Sequence, residues 1–197
     1  MKPESIVFAV AGMCFGVILG WVIGTGQAGP AAPAAAAPAA QQAQQQQAPV
    51  LDEGRAQALK TIVDSDPQNV SAHTELANLY FDAERWDDAI QWYERTLEVD
   101  PRNADISTDL GVSYYYTNRP DQALAQFERS LEIDPKHTKT MLNKGIVLAF
   151  GKQDLQAAAE EWKKVVALSP DSAEGQAARR ALEGVAAAHA GDATATP

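Results

Sequence analysis

The sequence predicts an all-α protein in which stacked helix–turn–helix units follow one transmembrane helix. Pro67, Pro101 and Pro135, each preceded by aspartate, are 34 residues apart, and Pro170 follows after 35. A fixed period of this length is typical of stacked pairs of helices. Asp-Pro ends a helix, because proline lacks an N–H and disfavours helical dihedrals in the residue before it. Residues 6–24 contain no charged residue, which predicts the transmembrane helix.

Four further kinds of position keep the same interval. They are the small residues Ala77, Gly111 and Gly145, the large residues Tyr80, Tyr114 and Leu148, the alanines Ala89, Ala123 and Ala158, and the aromatics Tyr93, Phe127 and Trp162, with Ala158 and Trp162 one residue late. A small side chain lets two helices cross closely, and an aromatic ring fills the space beside the crossing. The pattern resembles the tetratricopeptide repeat over about residues 70–170. The resemblance implies full repeats at about 70–103, 104–137 and 138–172.

Both ends of such an array need a cap, because one unit cannot bury its apolar face alone. Residues 51–65 carry apolar side chains at helical spacing and lead into Asp66-Pro67, which predicts the second helix of a half repeat. Asp171-Ser172 is typical of a helix N-cap and predicts a C-terminal capping helix over 172–190. The repeat domain is therefore expected over 50–190, and residues 191–197 are expected to be a disordered tail.

Residues 1–24 are predicted to be an N-terminal membrane anchor. A helix over residues 6–24, at 1.5 Å per residue, is roughly 28 Å long, which suits a hydrocarbon core of about 30 Å. A cleaved signal peptide is the alternative, although its apolar core should be shorter, about 7–15 residues. Cys14 is the only cysteine and is expected to be a small apolar residue of the anchor. No disulfide within the chain is therefore expected.

The charges around the anchor predict its orientation. Lys2 precedes the span, and the next basic residue is Arg55, so the N-terminus should stay in the cytoplasm and the repeats outside, in the periplasm of a bacterium. Glycines recur every fourth residue in the span, at Gly12, Gly16, Gly20 and Gly24. This stripe predicts self-association or docking onto a partner's transmembrane helix. The alternative is that glycine is simply common in membrane helices.

Residues 25–49 are predicted to be a linker. They consist largely of alanine, proline and glutamine and carry no charge. Such a segment cannot bury enough apolar surface to fold, and it would span about 25–30 Å on average. Its expected role is to hold the repeats away from the bilayer.

The resemblance also implies a binding surface, because the first helix of each tetratricopeptide repeat lines a concave groove. The groove-facing residues predicted to contact a bound peptide are Asn78 and Phe81 in the first unit, Val112, Tyr115 and Tyr116 in the second, and Lys139, Ile146 and Phe150 in the third. Asp105 and Thr108 also fall on groove-facing positions. Repeats that bind acidic chaperone tails have lysine where this chain has Thr74, Thr108 and Leu142, so an acidic tail is not expected. The aromatic residues instead predict an apolar segment or an amphipathic helix, unless they pack against the neighbouring unit.

Charge narrows the class of partner. Lys2 and Glu4 cancel, and the region after the linker holds 25 acidic and 15 basic residues, a net charge of −10. This disfavours nucleic acid and anionic lipid surfaces and suits a neutral or basic protein segment. His73, His137 and His189 lack metal-ligand spacing, and the first two are expected at ordinary surface positions. Neither an enzyme nor a cofactor is expected.

The predicted function is a membrane-anchored scaffold that binds a protein segment outside the cytoplasm. Two alternatives stay open. Residues 151–162, followed by Leu168-Ser169-Pro170, resemble the periplasmic repeat domains of cytochrome c biogenesis proteins, which implies that the groove holds apocytochrome. The other alternative is an envelope assembly factor that oligomerises through its anchor.

Overall fold

The computed structural model describes residues 50–194, with side chains up to residue 187. Over this range the chain forms eight α-helices and contains no strand. The helices are α1 (Glu53–Ser65), α2 (Val70–Asp82), α3 (Trp86–Val99), α4 (Ala104–Tyr116), α5 (Pro120–Ile133), α6 (Thr138–Ile146), α7 (Leu155–Leu168) and α8 (Ala173–Thr194), and a π-helical turn, Val147–Gly151, follows α6 directly. The predicted all-α solenoid is confirmed for these residues.

The predictions for the two ends of the chain have different outcomes. Between residues 50 and 194, no helix is long and apolar enough to cross a membrane. The predicted anchor, its glycine stripe and the linker fall in residues 1–49, outside the described part of the chain. At the other end, α8 continues to Thr194, about one turn past residue 190, where the capping helix was expected to end. The alanine-rich sequence explains the extra turn, since alanine has the highest helix propensity.

Short polar side chains cap the N-termini of several helices. Asn69 and Asn103 each accept a hydrogen bond from the backbone N–H three residues on, at 3.0 Å and 3.1 Å. Asp52 and Asp154 do the same at the starts of α1 and α7. Each bond satisfies one of the N–H groups that a helix start leaves unpaired and is worth about 1 kcal/mol. Helices α1, α3 and α5 each end at the residue before an Asp-Pro pair.

The small and aromatic positions of the sequence pattern meet where the two helices of a unit cross. Ala89, Ala123 and Ala158 are fully buried. A Cβ on Gly111 would lie 2.5 Å from Cε1 of Phe127, and one on Gly145 would overlap the indole of Trp162. The absence of a side chain at these two glycines therefore sets the depth of the crossings, as expected in a close-packed interior.

The π-helical turn accommodates the extra residue that gives the last unit its 35-residue proline spacing. A residue with positive φ marks the turn inside each unit: Glu84 (57°), Asn118 (60°) and Gln153 (58°). Asn118 follows Glu84 by 34 residues, and Gln153 follows Asn118 by 35, whereas the crossing glycines are still 34 apart. The extra residue therefore lies between the crossing and Gln153, where the π turn accommodates it.

Buried apolar side chains form three clusters in chain order. The first contains residues of α1, α2, α3 and α4, among them Leu76 and Tyr93. The last joins α6, α7 and α8 and includes Trp162. The middle cluster has three buried members, Ala123, Phe127 and Val147. It is the smallest of the three clusters.

Candidate functional site

The predicted groove residues lie on α2, α4, α6 and the π turn. Asn78 on α2 is exposed, and its side-chain oxygen accepts a hydrogen bond from the Tyr93 hydroxyl at 2.7 Å. Tyr93 is buried, and its pKa is raised by that burial and then by the carboxylates of Asp109 and Asp82. Asn78 therefore connects the surface of the array to a phenol that stays protonated in the core.

Lys139 forms an ion pair across two units. Its Nζ on α6 lies 2.7 Å from Oδ1 of Asp109 on α4. Burial raises the pKa of Asp109, and the hydrogen bond and positive charge of Lys139 oppose that rise. The one cation among the predicted groove residues is thus held by a carboxylate of the neighbouring unit.

Val112 and Ile146 are half-buried at equivalent places on α4 and α6. Val112 packs against the middle apolar cluster, beside Phe127. Ile146 packs against the last cluster, beside Trp162. Part of the surface of each side chain stays exposed.

The predicted aromatic residues join into a row with a tryptophan that the sequence analysis missed. Phe81 meets Trp86 edge to face, with 4.8 Å between ring centroids. Trp86 stacks on Tyr116 at 4.3 Å with an interplanar angle of 13°, and Tyr116 lies 6.0 Å from Tyr115. We call Phe81, Trp86, Tyr116, Tyr115 and Phe150 the aromatic ridge.

Phe150, the member of the aromatic ridge in the third unit, lies on the π turn. The next residue, Gly151, is closely packed, since a Cβ there would lie 3.1 Å from Cβ of Pro120 and 3.3 Å from the Tyr115 ring. Gly151 thus holds the π turn against Tyr115. The ridge therefore crosses all three units, and π turns are frequent at functional sites.

The members of the aromatic ridge differ in exposure. Phe81 and Tyr115 are half-buried, so for them the alternative of packing between units applies. Tyr116 is 56% exposed and Phe150 is 68% exposed. Exposed aromatic rings in neighbouring units are a surface suited to contact with another protein.

Trp86 is the functional candidate that sequence reasoning missed. It is the first residue of α3, where the other two units have Pro120 and Leu155. The available signal was an aromatic residue at the start of a second helix, five residues after Phe81. Groove-facing positions are defined on first helices only, and Trp86 lies on a second helix.

Thr108 is buried in the junction between the second and third units, so its assignment to the groove surface is wrong. It is fully buried, and its hydroxyl lies 2.6 Å from that of Thr140 and 3.1 Å from that of Ser130. Nδ1 of His137 lies 2.6 Å from the Thr140 hydroxyl, and Nε2 lies 3.2 Å from Asp105. We call Thr108, Ser130, Thr140 and His137 the hydroxyl network.

His73 and His137 are not ordinary surface residues, contrary to the prediction. His73 is 5% exposed, its Nε2 lies 3.1 Å from the carbonyl oxygen of Pro67, and its ring is 5.8 Å from that of Trp92. His137 has a side chain that is only 17% exposed. Both lie where neighbouring helices stack. Among the described side chains, no group of three His, Cys, Asp or Glu residues could hold a metal ion.

Comparison with protein families decides the nature of the array. Two family models, each described as "Tetratricopeptide repeat", match residues 68–136 and 108–173. Residues 68–173 are tetratricopeptide repeats. Such repeats are generally non-enzymatic protein-interaction scaffolds, and no enzyme family matches the chain. No curated protein sequence matches it.

Solved structures share the fold. The first tetratricopeptide domain of Spaghetti (RPAP3), bound to the HSP90 peptide SRMEEVD, is 25% identical with a TM-score of 0.56, and the match covers 64% of this chain and 96% of that one. MamA is 17% identical with a TM-score of 0.57, covering 72% and 91% of the two chains. The OM64 domain of Arabidopsis is 17% identical with a TM-score of 0.53, covering 67% and 97%.

Proposed function

We propose that this protein is a membrane-anchored scaffold whose repeats bind a segment of a partner protein along the aromatic ridge and the adjoining groove. The observation that carries the proposal is the ridge itself, in which ring contacts link Phe81, Trp86, Tyr116 and Tyr115 across the first two units, and Tyr116 and the third unit's Phe150 are exposed. Binding of a peptide by the RPAP3 domain supports a peptide-binding role for the shared fold.

The segment is apolar or amphipathic and neutral or basic. The region after the linker carries a net charge of −10, which repels an acidic partner. At two of the positions where acidic-tail binders carry lysine, this chain has Thr108, which is buried, and Leu142, which is apolar. Lys139 is paired with Asp109. The surface thus presents aromatic rings and carboxylates rather than a cluster of cations.

The proposed location is the outer side of a membrane, with the N-terminus in the cytoplasm. Its support is the uncharged run of residues 6–24 and the position of Lys2 before it. Carbonate extraction of native membranes tests the anchor. The full-length chain should stay in the membrane fraction, and recovery of a shortened soluble chain would show cleavage instead.

Site-directed crosslinking tests the binding surface in the full-length protein. A photoreactive phenylalanine analogue replaces Phe150, and the crosslinked partner is identified by mass spectrometry. The double variant Tyr116→Ala, Phe150→Ala should then lose affinity for that partner by about thirtyfold or more, since exposed anchors that become buried on binding often contribute 2 kcal/mol.

Leu168→Ala is the matched control, because Leu168 is also an exposed large apolar residue, 41% exposed, but ends α7, a helix that carries no ridge residue. It should leave capture unchanged. A double variant with normal helical circular dichroism that still captures the partner would place the binding surface elsewhere.

A further inference from the structure

The aromatic ridge has chemically different ends. At one end Trp86 and Tyr116 are stacked nearly parallel, with Phe81 against the tryptophan edge to face. At the other end Phe150 stands exposed on the π turn. The first end offers the exposed Tyr116 ring beside the half-buried Trp86, and the second offers a single apolar side chain.

Charge is also distributed unevenly along the aromatic ridge. Residues 82–88, around Trp86, contain four acidic side chains and one basic side chain, a net charge of −3. The equivalent residues 116–122 and 151–157 each contain one acidic and one basic side chain, a net charge of zero. The negative potential is therefore concentrated beside the stacked pair.

The local cations do not cancel this potential. Arg85 pairs with Asp88, at 2.8 Å, and Arg119 pairs with Asp87. Within the described residues, Asp82 and Glu84 have no ion-pair partner. These two carboxylates precede the start of α3, four and two residues before Trp86.

Other aromatic faces of the array already carry an arginine. Arg85 lies 5.0 Å from the centroid of the Tyr80 ring, and Arg95 lies 4.5 Å from that of the Trp92 ring. Among the described side chains, no lysine or arginine lies over Trp86 or Tyr116. The stacked pair is thus an aromatic surface in a negative environment without its own cation.

We propose that the stacked end of the ridge binds an arginine of the partner segment, while Phe150 contacts an apolar side chain of the same segment. This inference rests on the proposed function and names its ligand chemistry. A guanidinium is planar and weakly hydrated, so it stacks on aromatic faces better than an ammonium and is attracted by the nearby carboxylates.

The fold also sets the spacing of the two anchors. Tyr116 ends α4 and Phe150 follows α6, and these two helices are in contact. Packed helices lie about 8–10 Å apart, which an extended chain covers in about three residues. The ligand is therefore an extended segment with arginine and an apolar residue about three positions apart.

Synthetic peptides test this with the full-length protein in detergent. The probe is acetyl-Gly-Ser-Arg-Ala-Ser-Leu-Ser-Gly-amide, and its matched partners replace the arginine by citrulline, which keeps the shape and removes the charge, or by glutamate. Binding is followed by NMR at the indole N–H of Trp86. The arginine peptide should shift this signal saturably, and both partners should bind at least tenfold more weakly.

The indole of Trp92 is the internal control, because Arg95 already covers its ring, and its signal should not move. Asp82→Asn should weaken the arginine peptide roughly threefold, the size of one exposed charge pair, whereas Asp64→Asn on α1 should have no effect. Phe150→Ala should weaken all peptides that carry the leucine and keep the preference for arginine.

Equal binding of the citrulline or glutamate peptide, or no binding of any peptide, would overturn the inference. The crosslinking experiment separates this from failure of the proposed function. A crosslinked partner segment without arginine leaves the scaffold function standing and rejects the arginine site. The absence of any crosslinked protein rejects both.

Discussion

At the junction between the first and second units, Ile106 and Leu110 of α4 are buried in an apolar cluster. At the junction between the second and third units, the residues 34 positions later are Thr140 and Lys144 of α6. Thr140 belongs to the hydroxyl network, and Nζ of Lys144 lies 2.6 Å from Glu128 and 2.9 Å from the buried Glu161. One repeat geometry is therefore held by apolar burial at one junction and by polar contacts at the next.

The two kinds of junction depend on different things. An apolar junction depends on filled volume. The hydroxyl network depends on where its protons are: five contacts of 2.9 Å or shorter link the hydroxyls of Thr108, Ser130 and Thr140 with His137 and the carbonyl of Ala104. The three hydroxyls supply three of the protons that these contacts need. Removing one hydroxyl from the network therefore leaves a buried acceptor without its donor.

Ile106→Ala should have the largest effect, because it leaves a cavity in the apolar junction. The free energy of unfolding should fall by about 2–5 kcal/mol. Urea unfolding followed by far-ultraviolet circular dichroism measures it. Ile62→Ala, at an exposed isoleucine of α1, is the control and should stay within about 0.5 kcal/mol of the wild type. Equal losses for both variants would mean that the first junction is not an apolar core.

Lys144→Met should have an intermediate effect, a loss of roughly 1–3 kcal/mol at neutral pH. The reason is that, among the described side chains, the buried Glu161 then keeps Lys164, at 3.1 Å, as its one charged partner. Lys163→Met is the control, because Lys163 pairs with the exposed Glu160. Matching losses would show that the central ion pair is no stronger than a surface pair.

The pH dependence of the Lys144 variant sharpens this test. Burial alone would lower the pKa of Lys144, but Glu128 and Glu161 hold it above its ordinary value. A raised pKa means that the folded state binds the proton more tightly, so the stabilisation is complete below about pH 10.4 and is lost as pH rises through the folded value. The difference between wild type and Lys144→Met should therefore shrink in the alkaline range, as pH rises through the folded pKa of Lys144.

Thr140→Val should have the smallest effect, a loss of about 1 kcal/mol, because it keeps the volume and removes one hydroxyl from the network. Thr61→Val is the control, since the Thr61 hydroxyl is exposed and bonds only within α1. A gain in stability for Thr140→Val would show that apolar contact serves both junctions better than hydrogen bonding does.

Sequence reasoning predicted the solenoid because its signals are local to one unit. The Asp-Pro pairs end helices wherever they occur, and Gly111 and Gly145 face the aromatic residue of their own unit. The same logic failed for Thr108 and His137. Their contacts are made with residues of an adjacent unit. A position number within one repeat does not describe those contacts.

The binding surface was predicted only in part for a similar reason. Tyr116 and Phe150 were assigned from their positions, and the structure leaves both exposed. Trp86 was missed because it lies on a second helix. The repeat position of Phe150 depends on where the extra residue of the third unit lies, and the proline spacing alone does not show this. The role of Phe150 as a peptide contact stays a prediction. The membrane anchor and the cytochrome c alternative are also predictions still.

The π turn has a consequence for how such an array diverges. One residue inserted into an α-helix rotates every later side chain by about 100° around the axis, which would turn the interior of a unit outward. Here the rotation is confined to Val147–Gly151, and Trp162 still fills the crossing at Gly145. A descendant repeat can therefore inherit its interior unchanged and still display a new side chain outside. Recognition and architecture become separately adjustable within one unit.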